Sequence, residues 1–325
     1  MTRSLTGIKP TGTIHVGNYL GAMRPALELV DKYDSSLYFI ADYHALTSVQ
    51  DKQTLHDSVY DVAAAWLAAG LDPEQTLLYR QSAIPEVFEL TWIFSCLTAA
   101  GQLERGHAYK DALTKGLAPN AGIFNYPVLM AADIILYDSN VVPVGRDQKQ
   151  HLEIARDVAI RFNHVFGEGV LVVPESVVQD ELLVPGIDGQ KMSKSYDNVI
   201  PLFGSQKELK KAVMAIVTGS EPLEAPKEPV GSTVFTLYRQ LAGEAKADEL
   251  AAKLRAGNYG WGHAKLELVD VLEAALSPMR ERYRSLRSDE AQLDKVLADG
   301  ARRARIIAHA TMERVRDAIG VAVKS

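Results

Sequence analysis

Two stretches far apart in the chain carry residue types suited to holding a polyphosphate. The first runs Leu5-Thr6-Gly7-Ile8-Lys9-Pro10-Thr11-Gly12-Thr13-Ile14-His15-Val16-Gly17-Asn18. An apolar run ends in a turn punctuated by proline and glycine, and a helical pattern begins near Tyr19. Such a strand–turn–helix start suits an anion, because unpaired N–H groups and the positive end of the helix dipole point out of it. Gly17 has no Cβ, so a flat ring can lie against the backbone there. His15 and Asn18 can both donate hydrogen bonds to phosphate or ribose oxygens. The second stretch is Lys191-Met192-Ser193-Lys194-Ser195, preceded by Gly186 and Gly189. Two lysines and two serines on a glycine-flanked loop make a movable cationic clamp. Alone, the first stretch is an ordinary turn and the second a solvated basic loop. The ordered pair is far more specific than either half.

A third feature is Asp133, a carboxylate in the otherwise apolar run Val128–Leu136. Buried, it needs a donor. An arginine or a helix cap would serve, and so would the N–H of a ligand. Tyr126 lies seven positions earlier, about two helical turns, so the two side chains share a face. His44 follows the short apolar run Leu37–Ile40.

The two stretches resemble the paired signatures of the class I aminoacyl-tRNA synthetases, with Asn18 where many members have histidine. Three more stretches resemble the tryptophan branch of that family: Asn125-Tyr126-Pro127-Val128-Leu129-Met130-Ala131-Ala132-Asp133-Ile134, Val142-Pro143-Val144-Gly145-Arg146-Asp147-Gln148-Lys149-Gln150-His151, and Asp42-Tyr43-His44-Ala45. The likeness covers nearly the whole chain. It implies ATP-dependent activation of L-tryptophan and its transfer to tRNA(Trp), with ATP entering as its Mg²⁺ complex and no metal ligands from the protein. As catalytic groups it implies Lys191, Lys194, His15 and Lys110. Around ATP it implies Lys9, Pro10, Thr11, His15, Gly17 and Asn18, then Gly145, Arg146 and Asp147, then Leu183, Val184, Lys191, Met192, Ser193, Lys194 and Ser195. Around tryptophan it implies Leu5, His44, Met130, Val142 and Val144 as walls, Asp133 as acceptor of the indole N–H, and Tyr126 with Gln148 at the α-ammonium group. Lys9 stands where glutamine is usual, Leu5 where an aromatic is usual, and Ala112 where a second lysine is common. These departures bear on rate and pocket tolerance more than on reaction class. A tyrosine-specific relative, a small-molecule adenylate-forming ligase and a regulatory descendant stay open as alternatives.

The elements that must position these residues alternate. Strand-like runs at Leu37–Ile40, Thr76–Arg80 and Val141–Val144 alternate with helical patterns at Thr54–Ala69, Pro85–Ala99, Gln150–Phe166 and one opened by Tyr126-Pro127. This order predicts an α/β fold, a parallel sheet covered by helices, with ligands beyond the carboxyl ends of its strands. The family likeness makes it a Rossmann-like nucleotide-binding domain over residues 1–200. After Ser195 helices dominate: Gln206–Val217, Thr233–Leu241, Lys246–Leu254, Lys265–Leu276, and a long pattern over Asp289–Ile319 broken only by Gly300. They predict a smaller all-helical C-terminal domain. By resemblance residues 201–288 read the anticodon and 289–325 pack back on the first domain.

With 325 residues, 47% of them hydrophobic and 23% charged, the chain can hold two domains and a full core. No apolar run reaches membrane-spanning length and no secretory leader is visible, which predicts a cytoplasmic protein without a membrane or DNA partner. The net charge of -6 argues against a broad nucleic-acid-coating surface but leaves room for a local one. Arg280, Arg282, Arg284, Arg287, Arg302, Arg303, Arg305, Arg314 and Arg316 could track tRNA phosphates, or could be ion-paired to nearby Asp and Glu. The single cysteine, Cys96, lies in an apolar helix pattern and is expected to be buried and inert. That same helix, Pro85–Ala99, is apolar nearly all round, and with the family likeness it predicts a homodimer.

Overall fold

The computed structural model describes residues 2–116, 118–144, 149–178 and 183–322. β1 (Arg3–Ile8) leads into α1 (Val16–Asn18), which runs through a π-helical turn at Tyr19–Met23 into α2 (Arg24–Glu28). Next come β2 (Ser35–Ile40), α3 (Asp42–Ala45), α4 (Lys52–Ala68) and β3 (Leu77–Arg80). They are followed by α5 (Glu86–Leu97), α6 (Ala100–Leu103), α7 (His107–Thr114), α8 (Ala121–Ile135) and β4 (Val141–Val144). α9 (Lys149–Phe166) then returns the chain to β5 (Glu175–Val178). Every strand pairing is parallel, in the order β3-β2-β1-β4-β5. The winding reverses between β1 and β4, and a crevice opens beyond their carboxyl ends at that reversal. β2 is buried along almost its whole length, as its apolar sequence requires of a strand covered on both faces.

The first half differs from the sequence reading in a strand, a helix start and the exposure of a cysteine. β5 was not foreseen; Glu175-Ser176-Val177-Val178 is too short and too polar to stand out, and it is recruited by pairing with β4. α8 does not open at Tyr126-Pro127. It starts at Ala121, where the Asn120 side chain accepts the Ile123 N–H at 2.9 Å, and Pro127 lies inside the helix. A proline there forgoes one helical hydrogen bond, and the packing of Val128, Ala131, Ala132, Ile134 and Ile135 in the core outweighs that loss. Cys96 is exposed, because Phe88, Trp92 and Cys96 share the outer side of α5 while Val87, Leu90 and Phe94 face the core.

The second half holds α10 (Gln206–Met214), α11 (Thr233–Ala242), α12 (Glu244–Ala256), α13 (Trp261–Arg287) and α14 (Glu290–Ala318). α13 is much longer than its sequence pattern indicated and runs on through Pro278. α14 is not broken at Gly300. The glycine sits on the backbone of β3, where any Cβ would collide with the Leu78 carbonyl, so it is the contact that lets the helix lie on the sheet edge. The arginines are mostly ion-paired within the fold. Arg305 bonds Glu86 at 3.0 Å, Arg316 bonds Glu89 at 2.8 Å, and Arg303 bonds the Pro73 carbonyl at 2.8 Å. Arg314, Arg302, Arg287 and Arg280 likewise meet Asp138, Asp299, Asp61 and Glu273. Arg287, Arg303, Arg305, Arg314 and Arg316 tie α13 and α14 to the rest of the fold, whereas the Arg302–Asp299 and Arg280–Glu273 pairs each lie within one helix. As a group the arginines are no longer the first choice for an RNA surface.

One apolar cluster gathers α10 to α13 and includes Val16, Leu20, Val184, Met192 and Ile200. Both signature stretches are therefore seated on the helical half, at its seam with the sheet.

Candidate active site

A cavity of about 890 Å³ lies over the carboxyl ends of β1 and β4. Its walls include Leu5, Gly7, Lys9, His15, Gly17, Asn18, Phe39, His44, Tyr126, Met130, Asp133, Val142, Val184, Lys191 and Met192. Most of the residues singled out in the sequence thus meet in one space.

At the apolar end Asp133 is 2% exposed. The Gln81 amide nitrogen donates to both its oxygens, at 2.9 and 2.8 Å, and His44 Nε2 lies 2.8 Å from Oδ2. Among the described residues neither an arginine nor a helix cap meets it. A carboxylate offers about four acceptor positions; among the described residues these contacts use three, which leaves one for an incoming N–H. Burial raises the Asp133 pKa, against the His44 and Gln81 bonds that lower it. Next to it the Asp42 carboxylate accepts the Ser82 N–H at 3.0 Å and the Ser82 hydroxyl, and burial raises its pKa too. The Tyr126 hydroxyl is 2.5 Å from His151 Nε2. The sequence reading missed Gln81. A polar Gln81-Ser82 pair just past a buried strand was the available signal, since the sheet delivers site residues at strand ends.

At the polar end His15 caps α1. Its Nδ1 accepts the Asn18 N–H at 3.2 Å while Asn18 Oδ1 accepts the His15 N–H at 3.0 Å. An accepting Nδ1 puts the ring hydrogen of the neutral imidazole on Nε2, as a donor. Burial, then the nearby Lys194 charge, lowers the His15 pKa to about 4, so the ring is neutral near pH 7. The expected cradle of free backbone N–H groups is not there. The Val16 N–H goes to the Ile200 carbonyl at 2.9 Å and the Gly17 N–H to Met192 Sδ at 3.1 Å. An anion here would be met chiefly by side chains.

The loop carrying the two lysines is closed on the first turn. Lys194 Nζ donates to the Thr11 carbonyl at 2.7 Å. Gly12 beside it has φ +59, and a Cβ there would collide with Nζ. Burial lowers the Lys194 pKa. Asn198, 1% exposed, ties the loop: it accepts the Ser193 N–H at 2.7 Å and donates to the Lys191 carbonyl at 3.1 Å. Asn198, too, was not singled out from sequence.

Some expected residues lie off the cavity. Lys110 is exposed and points elsewhere, because the face of α7 toward the cavity carries Ala108, Asp111, Ala112 and Lys115. Lys115 pairs with Asp111 at 2.7 Å. Leu183 is 62% exposed, while its neighbour Val184 is on the wall. Pro10, Thr11, Ser193, Lys194 and Ser195 do not line the cavity, although Lys194 and Thr11 are hydrogen-bonded to each other. Val144 ends β4, and Gly145, Arg146, Asp147 and Gln148 lie outside the described residues. Lys9 reaches Thr47 Oγ1 at 3.0 Å, and Thr47 in turn donates to the His44 carbonyl at 2.8 Å. Among the described residues no cluster of His, Cys, Asp and Glu could hold a metal ion.

Comparison with known proteins identifies the family. The family model described as tRNA synthetases class I (W and Y) matches residues 1–277. The tryptophan–tRNA ligase of Fusobacterium nucleatum is 47% identical over 322 residues, 99% of this chain and 98% of that protein. That of Rhodopirellula baltica is 47% identical over 319 residues, 98% of this chain and 99% of that protein. The crystal structure of Campylobacter jejuni tryptophanyl-tRNA synthetase complexed with ADP and tryptophan superposes with a TM-score of 0.93 at 43% identity, covering 98% of this chain and 100% of that one. With family match, sequence identity and fold in agreement over nearly the full length, this chain belongs to the class I tRNA synthetases of the tryptophan and tyrosine group, among the tryptophan–tRNA ligases.

Proposed function

We propose that the protein activates L-tryptophan with ATP and transfers it to tRNA(Trp). One observation carries this reading: a single cavity joins a buried acceptor with one position left open, Asp133, to the donors His15, Asn18 and Lys191. The indole lies at the Asp133 end between Leu5, Met130 and Val142, with His44 holding the acceptor and Val144 following on β4. Tyr126, with Gln148, takes the α-ammonium group. Gly17 and Val184 flank the adenine. Gly145 and Asp147 are assigned to the ribose, and Arg146 to ATP beside them.

The tryptophan carboxylate is already a nucleophile near pH 7, so activation needs no general base. One carboxylate oxygen bonds to the α-phosphorus, the bond to the bridging oxygen breaks, and pyrophosphate leaves with the negative charge. Rate then comes from alignment and from positive charge where that negative charge develops. Lys191 and Lys194 supply it with Mg²⁺ on the pyrophosphate side, and the neutral His15 donates from Nε2. Lys9 brings one more charge close to the carboxylate. Lys115 takes the place first given to Lys110. In the second step a terminal ribose hydroxyl of the tRNA attacks the activated carbonyl carbon, its proton passes to the departing phosphate, the bond from the acyl carbon to the phosphate oxygen breaks, and AMP leaves.

Residues 1–200 act as the catalytic domain, 201–288 as the anticodon-binding domain, and 289–325 as the helix that ties the two. Lys207, Lys210 and Lys211 on α10 and Arg282 on α13 are exposed and make no ion pair among the described residues. They are the better candidates for tRNA phosphates. The test is charging of tRNA beside ATP–pyrophosphate exchange in a Lys210→Ala/Lys211→Ala variant. Weaker tRNA binding with a flatter salt slope and normal exchange supports the surface. Normal charging removes it, and a joint fall assigns the lysines to the fold. The outer side of α5 is assigned to a homodimer. Among the described residues no helix is long and apolar enough to cross a membrane; this reading puts the protein in the cytoplasm.

A further inference from the structure

Parallel register puts Gly7 of β1 directly beside Phe39 of β2, with both residues facing the α8 side of the sheet. Phe39 is 7% exposed and lines the cavity with Leu5, Met130, Asp133 and Val142. Its ring fills the space that a side chain at position 7 would need: a Cβ on Gly7 would lie 2.5 Å from Cζ and 2.6 Å from Cε1. Behind it stands Tyr79, fully buried, with ring centroids 6.1 Å apart and planes 25° from parallel. The ring is held between a strand backbone and a second buried ring. A close-packed wall of this kind does not yield to an extra methyl group without strain.

We propose that Phe39 is a specificity-determining residue of the amino-acid pocket, its ring over Gly7 setting the depth open to the substrate's aromatic ring. The inference rests on the tryptophan site proposed above. Two consequences follow. A shorter side chain at position 39 takes one aromatic neighbour away from the indole, whose contact favours offset or edge-on packing. It also opens room for substituted indoles that the native wall rejects. Adding a Cβ at Gly7 displaces the ring and spoils the fit from the other side.

The experiment is ATP–pyrophosphate exchange by the full-length protein with tryptophan and with tryptophans methylated at each carbon of the benzo ring. The proteins are wild type, Phe39→Leu, Phe39→Val, Gly7→Ala and the Gly7→Ala/Phe39→Leu double variant. The quantity read is kcat/KM for each analogue divided by that for tryptophan, which does not depend on the folded fraction of a preparation. For at least one methylated analogue the ratio should rise about tenfold or more in a Phe39 variant, the size expected for a methyl group in an apolar pocket. Gly7→Ala should raise the tryptophan KM, and Phe39→Leu should recover part of that loss. Exchange with tryptophan in the wild type but unshifted ratios in both Phe39 variants overturns this inference alone. No exchange with tryptophan in the wild type overturns the site reading and this inference with it.

Discussion

One amide nitrogen of Gln81 reaches both carboxylate oxygens of Asp133, at 2.9 and 2.8 Å, while Gln81 Oε1 accepts the His44 N–H at 3.4 Å. His44 closes the triangle through its 2.8 Å contact with Asp133. The acceptor is thus held from two sides, and Asp133 lines the cavity. Asp133→Asn should raise the tryptophan KM and weaken rejection of tyrosine and phenylalanine by about 1–3 kcal/mol. Gln81→Leu should act in the same direction with a smaller effect. Unchanged selectivity among the three amino acids in both variants would remove Asp133 from recognition.

Gly12 and Lys194 make a second test. Because a side chain at position 12 would displace Lys194 Nζ from the Thr11 carbonyl while leaving its charge in place, Gly12→Ala should act in the same direction as Lys194→Ala with a smaller effect. Both should lower kcat for adenylate formation and leave the tryptophan KM nearly alone, since the charge that Lys194 meets grows only in the transition state. A change confined to KM would make the loop a passive binding element.

His15 gives a pH signature. Its pKa falls from 6.5 to about 4 on folding, by burial first and then by the Lys194 charge. Between those values the unfolded chain holds a proton that the folded chain does not. Stability from this group is therefore present above the unfolded pKa and is lost as pH falls through the window. His15→Asn keeps an acceptor for the Asn18 N–H but does not titrate. It should shrink the drop in Tm between about pH 7 and about pH 4.5. An equal drop in both proteins would show that His15 titrates normally.

On α5, Trp92 is 73% exposed and Phe88 45%, one turn apart on the outer side. Exposed aromatic residues in a row fit a subunit interface. Light scattering should give a dimer at micromolar concentration, and Trp92→Asp should shift it toward monomer. A wild-type monomer under those conditions would rule the dimer out.

The parallel sheet was legible because buried strands such as Leu37–Ile40 are continuous apolar runs, and because the turn at Gly7–Asn18 and the loop at Lys191–Ser195 have distinctive chemistry. What stayed hidden was set by tertiary contact. β5 exists only by pairing with β4. Gly300, which reads as a helix break, is instead a close approach to Leu78. The C-terminal arginines looked available for RNA, but their partners, Glu86, Glu89 and Asp138, lie far away in sequence. Gln81, Asn198 and Phe39 belong to no motif, and only the fold brings them to the cavity or its supporting loop.

Amino-acid choice by the wild-type protein is the property that decides its function. ATP–pyrophosphate exchange measured separately with tryptophan, tyrosine and phenylalanine tests it most directly. Tryptophan should drive exchange, with kcat/KM at least about a hundredfold above the other two, because a site built around a buried acceptor strands that acceptor when the indole N–H is missing. Equal exchange with tyrosine, or none with tryptophan, would contradict it.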